Sequence, residues 1–147
     1  MPVKSFRGKL ADEAIETISL HTNNGSTGYR ITKFETMVAN PGAASQQSIV
    51  KVFTIPQTGT PTTTIDFSDN TLLAASMLQE TSNTDRFDSQ NVIFDNMTFN
   101  QDIYITHKDY NSDEEINYHI ELEVVKLSLD ENTVATLKDI RNIKSNE

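Results

Sequence analysis

The strongest structural signal in the sequence is a run of alternating apolar and polar residues at positions 116–129, INYHIELEVVKLSL. Apolar side chains occupy every second position from Ile116 to Val124, which is the period of a β-strand with one buried face. After Val124 the phase slips by one residue, so a β-bulge is predicted at Val124 and Val125. A strand this long and apolar would attract other chains at an exposed edge, and we therefore expect it inside a sheet.

The length and composition favour one domain without covalent cross-links. A chain of 147 residues can bury its own core, and the absence of cysteine excludes disulfides, thiolate metal sites and thiol nucleophiles. The N-terminus lacks the apolar core of a signal peptide and no run reaches the ~20 apolar residues that span a bilayer, so we expect a chain made in the cytoplasm, with no membrane partner. The formal net charge of −9 opposes binding to nucleic acid.

The chain divides into three segments. Residues 1–12 are locally basic and form either an N-terminal arm or a first strand. Residues 13–129 carry strand patterns and form the predicted β-sandwich domain. Residues 130–147 predict a short amphipathic helix and a tail, because Val134, Leu137 and Ile140 recur at helical spacing after the N-cap candidate Asp130. The apolar stripe of this helix needs a partner, which is either the sandwich itself or another subunit.

Strand patterns recur along residues 13–129 at intervals of about 10 to 15 residues. Strands are predicted at residues 14–22, 29–39 with a bulge near Thr32 and Lys33, 48–56, 65–67, 71–80, 91–99 and 102–108. The segment 48–56 is apolar on both faces and is expected inside a sheet. The segment 71–80 also fits a helix, and we favour a strand because its neighbours are strands. Residues 81–90 are predicted as a polar loop with Phe87 at its tip.

About eight strands without helical crossovers predict an all-β fold, an antiparallel β-sandwich of the jelly-roll kind with a short C-terminal helix.

The residue types of catalytic sites occur without the spacing that such sites need. The histidines are separated by strands and show no HxH or HExxH pattern. No serine lies in a nucleophile elbow and no glycine-rich loop could hold a phosphate, so we expect neither an enzyme nor a cofactor. One loop resembles the start of a calcium loop through its alternating oxygen ligands Asp109, Asn111, Asp113 and Glu115. Its sixth position is Glu114 instead of glycine, so a nonstandard calcium site and a solvated hairpin loop stay as alternatives.

Three segments carry a resemblance to a known family: STGYRITKFETM at residues 26–37, VIFDNMTFNQDIYITHKD at 92–109 and SLDENTVATLKDIRN at 128–142. They resemble a family of small proteins encoded by marine tailed bacteriophages, and the resemblance covers most of the chain. The family carries no catalytic motif, so it transfers no functional residue. The resemblance implies a virion setting, in which small cysteine-free β domains serve as capsid decoration or cement proteins.

The expected function is therefore non-enzymatic: a decoration or cement protein of a phage virion that binds the head shell as a symmetric oligomer, with a trimer favoured. The expected partners are the major capsid protein or other virion proteins. Candidate interface residues lie in the terminal segments: Phe6, Arg7, Val134, Leu137, Ile140 and Arg141. The alternatives are a tail or connector component and a carbohydrate- or receptor-binding jelly-roll module.

Overall fold

The computed structural model describes residues 3–20, 26–40, 46–81, 86–94, 97–110 and 113–127. The predicted helix at 130–147 lies outside this part of the chain, together with the candidate interface residues Val134, Leu137, Ile140 and Arg141.

The described residues form eight β-strands. These are β1 (Val3–Leu10), β2 (Ile15–Ile18), β3 (Thr27–Val38), β4 (Gln47–Phe53), β5 (Leu72–Thr81), β6 (Arg86–Ile93), β7 (Ile103–Asp109) and β8 (Ile116–Lys126). They make two antiparallel sheets: the small sheet, in the order β1-β8-β3, and the large sheet, in the order β2-β7-β4-β5-β6. The predicted all-β fold is confirmed at this level. Within the described ranges, no helix is long and apolar enough to cross a membrane.

Strand β8 is the centre of the small sheet, as its alternating sequence predicts. Its backbone pairs with β1 on one side and with β3 on the other. Ile116, Ile120 and Leu122 are fully buried, and Tyr118 between them is 7% exposed. Burying one large aliphatic side chain contributes about 1.5–3 kcal/mol, so β8 supplies much of the apolar face of its sheet.

The predicted bulge at Val124 and Val125 is wrong, whereas the one near Thr32 is confirmed. The pairing between β3 and β8 runs without a break through both valines and shifts at Thr32, which is the extra residue on β3. Strand β8 ends at Lys126, and the next residue, Leu127, is buried after the chain has left the strand. The phase slip in the sequence therefore marks the end of β8.

The large sheet is built around β4, which lies between β7 and β5. All side chains from Ser48 to Phe53 are buried, which confirms an interior strand. Residues 72–81 form strand β5, and this confirms a strand rather than a helix for that segment.

Two predictions in the large sheet are wrong. The predicted strand at 65–67 is part of the connection between β4 and β5, where the Asp66 carboxylate accepts hydrogen bonds from the amide and hydroxyl of Ser68. Such bonds hold a turn and compete with strand pairing. The predicted loop at 81–90 contains most of β6, and the predicted strand at 91–99 overlaps only the end of β6. Because residues 88–92 are exposed on this edge strand, its sequence shows no apolar alternation.

Buried side chains of both sheets form one apolar cluster. The small sheet contributes Leu10, Ile31, Phe34, Val38, Ile116, Ile120 and Leu122, and the large sheet contributes Val50, Val52, Leu73, Leu78, Ile103 and Ile105. The hydroxyls of Thr36 and Ser76 lie 2.6 Å apart and form a hydrogen bond from the small sheet to the large one.

The connection between β4 and β5 packs on the other side of the large sheet. Ile65 from this connection joins Phe53, Leu72, Ala75 and Phe94 in a second, smaller cluster. This packing explains why β4 is buried on both faces.

Candidate binding face and buried polar sites

The small sheet presents its outward side chains as a surface that we call the polar face. These side chains alternate with the core residues of β1, β3 and β8: Arg7, Lys9, Lys33, Glu35, Met37, Asn117, His119 and Glu121. Strand pairing sets them in rows, with His119 between Arg7 and Glu35. The polar side chains of β8 therefore lie in the middle of a surface that carries both positive and negative charges.

A groove of about 560 Å³ lies on the polar face. Its lining includes Arg7 and Lys9 from β1, Met37 from β3 and His119 from β8. Met37 is 69% exposed, more than any other large apolar side chain in the described part of the chain. The groove thus combines an adaptable thioether with an arginine, two residue types that are enriched at protein interfaces.

Tyr118 supports the groove from beneath, where Gly8 allows a close approach. A Cβ atom at Gly8 would lie 2.9 Å from Cε1 of Tyr118. The Tyr118 hydroxyl donates a hydrogen bond to Glu16 of β2 at 3.2 Å. Burial, the charge of Glu16 and this bond raise the pKa of Tyr118 to about 12. The phenol is therefore neutral at physiological pH and ties the small sheet to the large one.

The charges on the polar face are only weakly paired. Lys33 lies 3.3 Å from Glu35, and Lys9 lies 3.6 Å from Glu115. Exposed pairs of this kind contribute at most about 1 kcal/mol, so they separate easily when a partner docks. Arg7 forms no ion pair with any residue that the structure describes. Its guanidinium can therefore bind a carboxylate of another molecule.

Two of the candidate interface residues fall in the described part of the chain, and they point in opposite directions. Arg7 is exposed on the polar face. Phe6 pairs with Ile120 and packs, half-buried, against the main core. Successive residues of a strand face opposite sides of the sheet, so of this pair Arg7 is the one available for contact.

Ser48 and His107 have the spacing of a nucleophile and its base, but both are buried. The Oγ atom of Ser48 lies 3.0 Å from Nε2 of His107, and Nδ1 lies 3.0 Å from the carbonyl oxygen of Ala11. A carbonyl only accepts, so Nδ1 carries the proton and Ser48 donates to Nε2. Gln46 in turn donates to Ser48 at 2.9 Å. Because Ser48 is 1% and His107 0% exposed, the pair is a satisfied core network beyond the reach of a substrate.

The Asp109 carboxylate binds backbone amides with both oxygens. Oδ1 accepts a hydrogen bond from the amide of Gln47 at 3.0 Å, and Oδ2 accepts one from the amide of Glu114 at 2.8 Å. Asn111 lies outside the described residues, and those that are described contain no group of three or more His, Asp or Glu able to hold a metal ion. Strand β7 lies in the large sheet and β8 in the small one, so the loop between them is not a hairpin. The bond from Glu114 joins the two ends of this connection, and the bond from Gln47 ties its start to β4.

Comparison with known proteins gives no relative: no family model, no curated protein and no solved structure matches the chain. The fold defines its class as an all-β protein of two antiparallel sheets. Met37 and Glu35 were not among the predicted interface residues. The predicted bulge at Thr32 could have identified them, because it sets which residues of β3 face outward. Once Thr32 is taken as the extra residue, Glu35 and Met37 alternate with the core positions of β3.

Proposed function

We propose that this protein is a structural protein of a phage virion, a decoration or cement protein that docks on the head shell through its polar face. In this proposal it acts without enzymatic activity, assembles as a symmetric oligomer and has the major capsid protein as its partner. Three kinds of support converge: the order of the strands, the composition of the polar face, and the resemblance of three segments to marine phage proteins.

The strand order supports a jelly-roll-like sandwich as the architecture. A jelly roll places β1, β8, β3 and β6 in one sheet and β2, β7, β4 and β5 in the other. The order found here differs at one strand, because β6 pairs with β5 in the large sheet. Beyond β6 the chain still reaches the small sheet, where Phe99 forms a bridge with Tyr29 of β3. Jelly rolls are common in viral capsids, so this architecture suits the proposed setting.

The observation that carries the proposal is the combination of Met37, Arg7 and the groove on the polar face. An exposed apolar centre inside a charged rim is the composition of a protein interface. Both signs of charge are present, and the chain as a whole is acidic, so a protein partner is favoured over nucleic acid. In a symmetric oligomer each subunit presents one polar face to the head shell. Several such contacts made together raise the overall affinity even if each contact is weak.

The test measures binding of two matched variants to purified particles of the phage that encodes the protein. Met37→Glu puts a charge in the groove, and Val92→Glu puts the same charge on β6, on the far sheet, where Val92 is 36% exposed. We expect M37E to bind heads at least about tenfold more weakly, the cost of losing one interface hot spot, and V92E to bind like the parent. Circular dichroism checks that both variants are folded. Equal binding of the two variants, or absence of the protein from purified particles, would contradict the proposal.

Copy number separates decoration from the runner-up, a tail or connector component. On the order of hundreds of copies per particle would support decoration, whereas about six to twelve copies, as in a single ring, would favour the tail or connector. A carbohydrate- or receptor-binding module is the remaining alternative, and an array of glycans without a hit would remove it.

A further inference from the structure

A cavity lies on the large sheet, beneath the connection between β4 and β5 and away from the polar face. Its floor is a row of cross-strand neighbours: Ile15 on β2, Thr106 on β7 and Lys51 on β4. Its roof is the threonine-rich stretch at residues 57–62. The cavity has a volume of about 180 Å³. We call it the lysine cavity.

Lys51 brings a buried positive charge to this cavity. The residue is 7% exposed, its ammonium donates a hydrogen bond to the Thr64 carbonyl at 2.8 Å, and the nitrogen lies 5.8 Å from the ring centroid of Phe53. An ammonium has three N–H donors. Within the described part of the chain, the Thr64 carbonyl is the one acceptor that it reaches. Burial lowers the pKa of Lys51, and the nearby charge of Asp69 raises it in part.

The distribution of charge around Lys51 favours an anion in the lysine cavity. Lys51 also borders a second cavity of about 240 Å³, whose lining includes Asp66 and Asp69. Among the described residues that line the lysine cavity, Lys51 is the charged one, and the other polar side chains are those of Gln57 and the threonines. The two aspartates next door limit how much negative charge a ligand can carry, so a monoanion is favoured over a dianion.

Thr106 supplies an independent observation at the same place. Its residue is 2% exposed, and its buried hydroxyl has no hydrogen-bond partner among the described residues. An unpaired buried hydroxyl lowers the stability of the fold, and a ligand atom that forms a hydrogen bond with it removes this cost. Thr106 and Lys51 lie directly opposite each other on neighbouring strands, close enough for one ligand to contact both. Because the hydroxyl is buried, binding at this site requires the roof at residues 57–62 to move outward.

We propose that the lysine cavity is a binding site for a small free carboxylate, with one oxygen accepting from the Lys51 ammonium and the other from the Thr106 hydroxyl. At about 30 Å³ for each water-sized group, the cavity holds about six such groups, which suits a monocarboxylate the size of propionate. Hydrogen bonds between an ammonium and a carboxylate are among the stronger ones in proteins. The site is separate from the polar face and does not depend on a role in the virion.

The test titrates the full chain with sodium propionate, against sodium chloride at the same ionic strength, and follows Tm and the amide chemical shifts. We expect a saturable rise in Tm and shifts centred on residues 57–62 and on Lys51 and Thr106. Thr106→Val keeps the side-chain shape and removes the unpaired hydroxyl. It should fold at least as stably as the parent and bind propionate about tenfold more weakly. Lys51→Met should abolish saturable binding.

Two controls isolate the charge and its position. Lys33→Met removes an exposed lysine on the polar face and should bind propionate like the parent. Propionamide has the shape of propionate without its charge and should not bind. The proposal is overturned if the parent shows no saturable response, if propionamide binds as well as propionate, or if T106V binds like the parent. Stronger binding of inorganic phosphate would overturn the choice of a carboxylate. If K51M does not fold, T106V and propionamide decide the outcome.

Discussion

The pH dependence of folding stability is expected to report the burial of His107. The imidazole is fully buried, and both ring nitrogens are satisfied in the neutral form by the Ala11 carbonyl and the Ser48 hydroxyl. Burial lowers the pKa of His107 from its ordinary value of 6.5, and the charges of Asp12 and Asp109 oppose this shift without reversing it.

The lowered pKa determines both the sign and the range of the effect. When the pH falls below about 6.5, the unfolded chain takes up a proton on this imidazole and the folded protein does not. The free energy of unfolding therefore decreases from about pH 6.5 down to the lowered pKa of the folded state. One proton gives a slope of at most about 1.4 kcal/mol per pH unit. At higher pH the ring is neutral in both states and contributes no slope.

Urea unfolding at about pH 7.5, 6.5 and 5.5 measures this slope in the parent and in two variants. His107→Gln removes the titrating ring and keeps a side chain that donates and accepts. We expect it to be less stable than the parent at every pH, because the buried network is rebuilt imperfectly, but to lose less stability between pH 6.5 and 5.5. Val125→Ala, at the half-buried end of β8, changes no titratable group and should keep the slope of the parent. Equal slopes in the parent and H107Q would refute the assignment to His107.

Two further predictions concern the core and are checked by urea unfolding. Ile120→Ala, at a fully buried position in the middle of β8, should lower the free energy of unfolding by about 2–5 kcal/mol. Thr36→Val leaves the Ser76 hydroxyl, in a residue that is 1% exposed, without its partner at 2.6 Å and should cost about 1–3 kcal/mol. The double variant T36V/S76A should be more stable than T36V, since both ends of the hydrogen bond are then removed.

Each of these predictions is checked against a matched variant. Val125→Ala, at the half-buried end of β8, should cost clearly less than I120A, and equal losses would contradict the view of β8 as a strand with one buried face. A double variant no more stable than T36V would show that the bond between the sheets does not contribute as described.

Much of the fold could be read from local patterns. The alternation in β8 predicts one buried face, and the apolar residues on both faces of β4 predict an interior strand. Both predictions follow because successive side chains of a strand point to opposite sides of the sheet. The bulge at Thr32 was detectable for the same reason. The polar edge strand β6 was not predicted in this way. Strand β6 is held by backbone pairing with β5, and its exposed side chains carry no apolar signal.

The candidate sites depend on neighbours that are distant in the chain. Arg7, His119 and Glu35 meet in one row of the polar face only because β1 and β3 both pair with β8 in particular registers. Lys51 and Thr106 likewise meet through the pairing of β4 with β7.

The sequence by itself determined an acidic all-β chain, the burial of β8 and β4, and the presence of a turn-rich connection after β4, since each of these follows from composition or from a period of a few residues. Tertiary structure alone decided which strands pair and where β8 ends. It also decided that the side chain of Arg7, and not that of Phe6, faces solvent, and that Lys51 is buried beside an unpaired hydroxyl. The physical reason is that register and sheet order are set by contacts between distant segments, which a local pattern of residues does not encode.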